Sequence, residues 1–101
     1  MLLARRTEAA ENDLRDIATQ IALVDNRPDT ADRIIDELIH QATTLARLSK
    51  RSEMGTACPE IGDRVRIFSI KRWVILFRYE PHGIDVLRFA DSSQDYLSWR
   101  T

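Results

Sequence analysis

Apolar residues change their spacing along this chain, and each spacing predicts a different element. After Glu8, Leu14, Ile17, Ile21 and Val24 recur at steps of three and four, with Ala9, Ala10, Ala18 and Ala22 among them. That period lays one stripe along a helix, and the alanines favour it, so a helix is expected over about residues 8–24. Glu8, Glu11 and Asp13 place negative charge at its positive end, and Asn26 can take the left-handed conformation that ends it. Pro28 blocks simple continuation. Asp29 or Thr30 can then cap a second helix, whose stripe is Ile34, Ile35, Leu38, Ile39, Ala42, Leu45 and Leu48, with Arg47, Lys50 and Arg51 at its negative end. A connection of about five residues folds the two into an antiparallel hairpin.

Elsewhere the period is two or absent. The apolar start of residues 2–7 suits a short first strand. Residues 49–62 lose all periodicity and carry Gly55, Pro59 and Gly62, which reads as a connecting loop. Beyond it, Val65, Ile67 and Ser69 alternate with Arg64, Arg66 and Phe68. Residues 73–79 are almost continuously apolar and aromatic, and Val86, Leu87 and Phe89 follow a Pro81-His82-Gly83 turn. Three strands joined by tight turns form a meander. The expected fold is α+β in the order β-α-α-β-β-β, a single domain over 1–101, with the hairpin packed on one face of a small, mainly antiparallel sheet.

The middle strand carries the functional signal. Val74 and Leu76 point to one face, while Trp73, Ile75, Phe77 and Tyr79 point to the other. One hairpin covers one face. The second is expected to meet a partner; the alternative is that Tyr96-Leu97-Ser98-Trp99 folds back over it.

Composition narrows the classes. A chain of 101 residues that is 44% hydrophobic and 31% charged has globular usage and room for one modest core. The net charge of -1 gives no global field for nucleic acid or an anionic membrane. Charge is uneven, however: residues 1–62 hold eight basic and eleven acidic side chains, and residues 63–101 hold seven and five. Arg64, Arg66, Lys71, Arg72, Arg78 and Arg88 fall on the strands or their turns, where they form a surface patch or ordinary strand-edge charges.

Three scattered glycines make no phosphate cradle, so no ATP site is expected. One cysteine, Cys58, cannot form an internal disulfide, and with His40 and His82 far apart no metal or cofactor site is expected. Arg5 and Arg6 interrupt the apolar start, and no run reaches membrane-spanning length, so a cytoplasmic protein without membrane attachment is expected.

The element order, the stretch Asp63-Arg64-Val65-Arg66-Ile67-Phe68-Ser69-Ile70-Lys71-Arg72-Trp73-Val74-Ile75-Leu76-Phe77-Arg78-Tyr79 and the stretch Gly83-Ile84-Asp85-Val86-Leu87-Arg88 together resemble the RelE/ParE toxin superfamily of bacterial toxin-antitoxin modules. Ala9-Ala10-Glu11-Asn12-Asp13-Leu14-Arg15-Asp16-Ile17 resembles the ParE-type opening. The RelE-like branch implies a ribosome-dependent messenger RNA endoribonuclease built on strand-borne cations, a later Arg and a Tyr. Here Val65, Ile67 and Ser69 stand where those cations would be and Ser92 or Gln94 where the later Arg would be, leaving Tyr96 alone.

The ParE-like branch implies a non-enzymatic inhibitor that binds DNA gyrase. It also implies a ParD-type antitoxin that neutralises the toxin in a hetero-oligomer and alone contacts operator DNA. On that resemblance the target contacts are Arg64, Arg66, Arg72 and Arg88, and the antitoxin-facing anchors are Trp73, Ile75, Phe77, Tyr79 and Trp99. Many relatives carry a basic segment after the last strand, where this chain has Ala90-Asp91-Ser92-Ser93-Gln94-Asp95. A third reading is an inactivated homologue that only binds antitoxin as a co-repressor.

Overall fold

Thr7 fixes the start of the first helix through both sides of its hydroxyl. Its Oγ1 accepts the Ala10 N–H at 3.1 Å and donates to the Leu87 carbonyl at 2.8 Å, so the helix cap is tied to the last strand. The computed structural model, which describes residues 1–99, runs β1 (Leu3–Arg6), α1 (Glu8–Thr19), a π-helical turn (Gln20–Val24), α2 (Pro28–Arg47), β2 (Thr56–Ala57), β3 (Arg66–Ile70), β4 (Trp73–Glu80), β5 (Gly83–Asp91) and a 3₁₀ turn (Tyr96–Ser98).

The helical stripe runs as expected to Val24, but its last turn widens to π, and Asn26 ends it with φ of 55°. The second helix starts earlier than expected: Pro28 occupies its first turn, where a missing N–H costs nothing, and neither Asp29 nor Thr30 is the cap. The loop also holds a strand. β2 pairs with β3 for two residues, Thr56 with Ile67 and Ala57 with Arg66.

The five strands lie in the order β1-β5-β4-β3-β2. All neighbours are antiparallel except β1 and β5, which run parallel with Leu3 opposite Gly83 and Arg6 opposite Val86. Gly83 is required there. Its φ is 134°, and a Cβ would stand 2.2 Å from the Leu3 carbonyl oxygen.

A β-bulge sets the faces of β5. Leu76 pairs with Arg88 and Phe77 with Val86, so Leu87 is the extra residue between them. Val86 and Phe89 therefore join the helix-side core with Trp73, Ile75, Phe77, Ile84, Leu14, Leu38 and Leu45. Leu87 and Ala90 join a second core with Val74, Leu76, Cys58, Ile61 and Val65, against which Ile67, Tyr96 and Trp99 pack.

This corrects the expectation of a bare face. The helices cover the aromatic side of β4, and the chain's own residues 58–65 with Tyr96 and Trp99 cover the Val74 and Leu76 side. The physical reason is that the loop, unreadable by period, carries three apolar residues, Cys58, Ile61 and Val65, that need burial as much as the sheet does.

Candidate functional site

The first question is where the nine expected contact residues stand. Ile75 and Phe77 are 0% exposed beneath the helices, so neither can touch a partner in this fold. Tyr79 packs edge-on against Phe77 with ring centroids 5.3 Å apart, and its hydroxyl accepts the Met54 N–H at 2.5 Å, which pins the long loop to the sheet. Trp73 is 6% exposed but lies at the margin of the core, on the wall of a groove described below. Trp99 sits on the opposite side of the sheet, with Arg88 stacked over its ring at 3.8 Å. The five anchors thus do not form one surface.

The four arginines also separate. Arg64, at the β2–β3 connection with φ of 59°, donates to the Tyr79 carbonyl at 3.1 Å and to Glu80 at 3.2 Å. Arg66 donates to the Met54 and Gly55 carbonyls, both at 2.9 Å, and lies 5.9 Å from the Tyr79 ring centre. These two line one shallow pocket with Glu53, Ala57, Val65 and Tyr79.

Arg72, at the far end of the sheet, forks onto Asp91 and lies 4.8 Å from the Trp73 ring centre. Arg88 meets Asp13 of α1 through two bonds of 2.7 and 2.9 Å. Each expected target-binding cation therefore has an internal carboxylate or carbonyl partner. The side chains of Arg64 and Arg72 remain 58% and 66% exposed, well above those of Arg66 and Arg88.

The electrostatics follow from those pairs. Asp13 holds the Arg88 guanidinium charged and pushes its pKa further up, against the opposing effect of burial. Asp91 is held below the usual carboxylate range, first by the Ser93 N–H and then, against the opposing effect of burial, by Arg72 and Ser93 Oγ. Burial raises the Cys58 thiol, as does its hydrogen bond to Glu60 at 3.4 Å, which leaves it a poor nucleophile. His82 has a partner the sequence did not reveal: its Nε2 lies 2.7 Å from Asp85 across the β4–β5 turn. No nucleophilic side chain joins that pair among the contacts described. No group of His, Cys, Asp or Glu that could hold a metal ion occurs among the described residues. No helix among them is long and apolar enough to cross a membrane.

One site was missed by sequence reasoning. The π turn opens a groove of about 570 Å³ between the end of α1 and the β3–β4 turn, lined by Asp16, Ile17, Gln20, Ile21, Asp25, Arg72, Trp73, Asp91, Ser93 and Gln94. Such volumes suit ligands and inserted side chains, and π turns often mark functional sites. The Trp73 indole N–H finds no acceptor there or elsewhere among the described residues. An unmet buried donor costs about 1–3 kcal/mol, so its retention calls for a reason. Asp16 and Asp25 could have been noticed in the sequence as acidic residues beside the apolar stripe rather than opposite it.

With this arrangement in hand, comparisons decide the family. The model of the ParE toxin of type II toxin-antitoxin systems, parDE, matches residues 4–96. The chain belongs to the ParE toxin family. Among solved structures, a chain of the chromosomal ParDE toxin-antitoxin system from P. aeruginosa superposes with a TM-score of 0.69 at 21% identity, covering 90% of this chain and 96% of that one. No curated protein sequence matches. The ParE-family fold accounts for the β1-to-hairpin-to-meander order read from the sequence, and nearly the whole described chain is used to build it.

Proposed function

We propose that this ParE-family chain is a toxin that inhibits DNA gyrase by protein-protein binding, without chemistry of its own, and is neutralised by a ParD-type antitoxin in the cytoplasm. The observation that carries this reading is the family match over residues 4–96, in a fold whose arginines are engaged in internal pairs. Phosphoryl transfer on RNA needs cations converging on the developing charge. Here Arg64 and Arg66 stand at one end of the sheet, Arg72 at the other, and Tyr96 packs on the second core. Arg64 and Arg72 are the target contacts retained in this reading, because their side chains are the most exposed of the four. Arg66 and Arg88 hold the loop and α1 in place.

The deciding experiment sets the purified chain in a gyrase supercoiling assay and in a ribosome-bound messenger RNA cleavage assay. Inhibition of supercoiling with intact RNA is expected, and relief on adding antitoxin. Cleavage on ribosomes without gyrase inhibition would overturn the reading.

A further inference from the structure

The groove beside the π turn has two features that point to the same occupant. Arg72 neutralises Asp91, but Asp16 and Asp25 have no ion pair among the described residues, so the lining keeps net negative charge. Asp16 feels Arg88 only at longer range. Ile17 and Ile21 supply apolar lining beside the two carboxylates. Trp73, more than nine-tenths buried, also lines the groove, so its indole reports on what enters there.

A segment that fits must bring positive charge on an aliphatic stem. We infer that this groove is the seat of a basic side chain, an arginine, borne on a segment of the antitoxin, its guanidinium compensating the carboxylates of Asp16 and Asp25. The guanidinium fork suits two carboxylates better than an ammonium does, and its stem packs on Ile17 and Ile21. An acidic or neutral segment leaves both carboxylates uncompensated. The inference rests on the antitoxin reading above, but its chemistry can be tested without the antitoxin.

The test uses the full chain labelled with ¹⁵N, whose indole resonances come from Trp73 and Trp99. Titration with a blocked Leu-Arg-Leu tripeptide should move the Trp73 indole signal and leave that of Trp99 in place, while a blocked Leu-Glu-Leu tripeptide should move neither. Asp16→Lys and Asp25→Lys should each remove the response, and Asp36→Lys on the exposed side of α2 should not. Asp16→Asn and Asp25→Asn serve where a lysine variant fails to fold.

With a purified ParD-type antitoxin, the same groove variants should weaken binding at least about tenfold, as like charges do when juxtaposed at an interface. A motionless Trp73 signal under the arginine peptide overturns the groove's chemistry. A peptide response with antitoxin affinity unchanged in the variants overturns the antitoxin as its occupant. Failure of the unmodified chain to bind any such antitoxin overturns the functional reading, while the peptide titration still decides the groove.

Discussion

Arg88 and Asp13, seventy-five residues apart in the chain, form a two-pronged pair whose carboxylate also accepts the Phe89 N–H at 2.9 Å. β1 ends at Arg6, opposite Val86, so the outer edge of β5 beyond that point has no strand beside it. Thr7 and Asp13 take over its hydrogen bonds, and α1 is thereby docked by polar contacts at the edge as well as by its apolar stripe.

Asp13→Ala leaves both the Arg88 guanidinium and the Phe89 N–H without a partner. A loss of about 2–4 kcal/mol is expected in urea unfolding, below the full value for a buried pair because Arg88 keeps some contact with water. Arg88→Met keeps the stem and the Phe89 N–H bond to Asp13 but strips the cation from the more buried carboxylate of the pair, so a loss of similar size is expected. A double-mutant cycle on the two positions should return a coupling well above the roughly 0.2–1 kcal/mol of a surface pair.

Phe77→Ala should destabilise the chain by about 3–5 kcal/mol, the range for an aromatic removed from a core. Leu97→Ala, at an exposed position, should change stability by no more than about 0.5 kcal/mol. Any loss of antitoxin binding by the Phe77 variant should follow its unfolded fraction, as circular dichroism at several temperatures would reveal. Loss of binding by a fully folded Phe77 variant would restore the aromatic face of β4 as a contact surface.

Gly83→Ala forces a Cβ onto the Leu3 backbone and strains a φ of 134°. An effect of about 3 kcal/mol or more is expected, concentrated on the parallel pairing. Amide exchange should speed up for residues 3–6 before it does for β4.

Acid stability should depend on Asp91. Its carboxyl is held below the ordinary value of 3.8, so the group stabilises the fold above that value and the contribution disappears as pH falls through the lower, folded-state value. Urea midpoints measured from about pH 5 downward should fall more steeply for the native chain than for Asp91→Asn. The variant should be the less stable of the two at neutral pH, with the difference shrinking in acid.

The parts of this fold that repeat were legible in the sequence. Leu14, Ile17 and Ile21 announced α1, and the run from Trp73 to Tyr79 announced β4, because each residue's neighbours in space follow from its period. What was not legible depends on non-periodic packing. Nothing local to Cys58, Ile61 or Val65 says that they close the second face of the sheet, and the bulge at Leu87 shifts Arg88 out of simple alternation. The groove was hidden for the same reason: Trp73 and Asp16 lie on separate elements, and only the π turn at Gln20–Val24 opens a space between them. Asp13, read as compensation for the helix dipole, turned out to hold the β5 edge.

The parallel pairing of Leu3 with Gly83 bears on how this molecule is born. β1 docks against β5, made some eighty residues after it, and β5 also carries the edge bonds that seat α1. A nascent chain that stops short of residue 83 has no place to lodge residues 3–6, so neither the groove nor the finished surface exists until β5 has been made. Until residues 83–91 are available, the strand at 3–6 has no partner and α1 no edge to seat on, so the fold closes late in its own making.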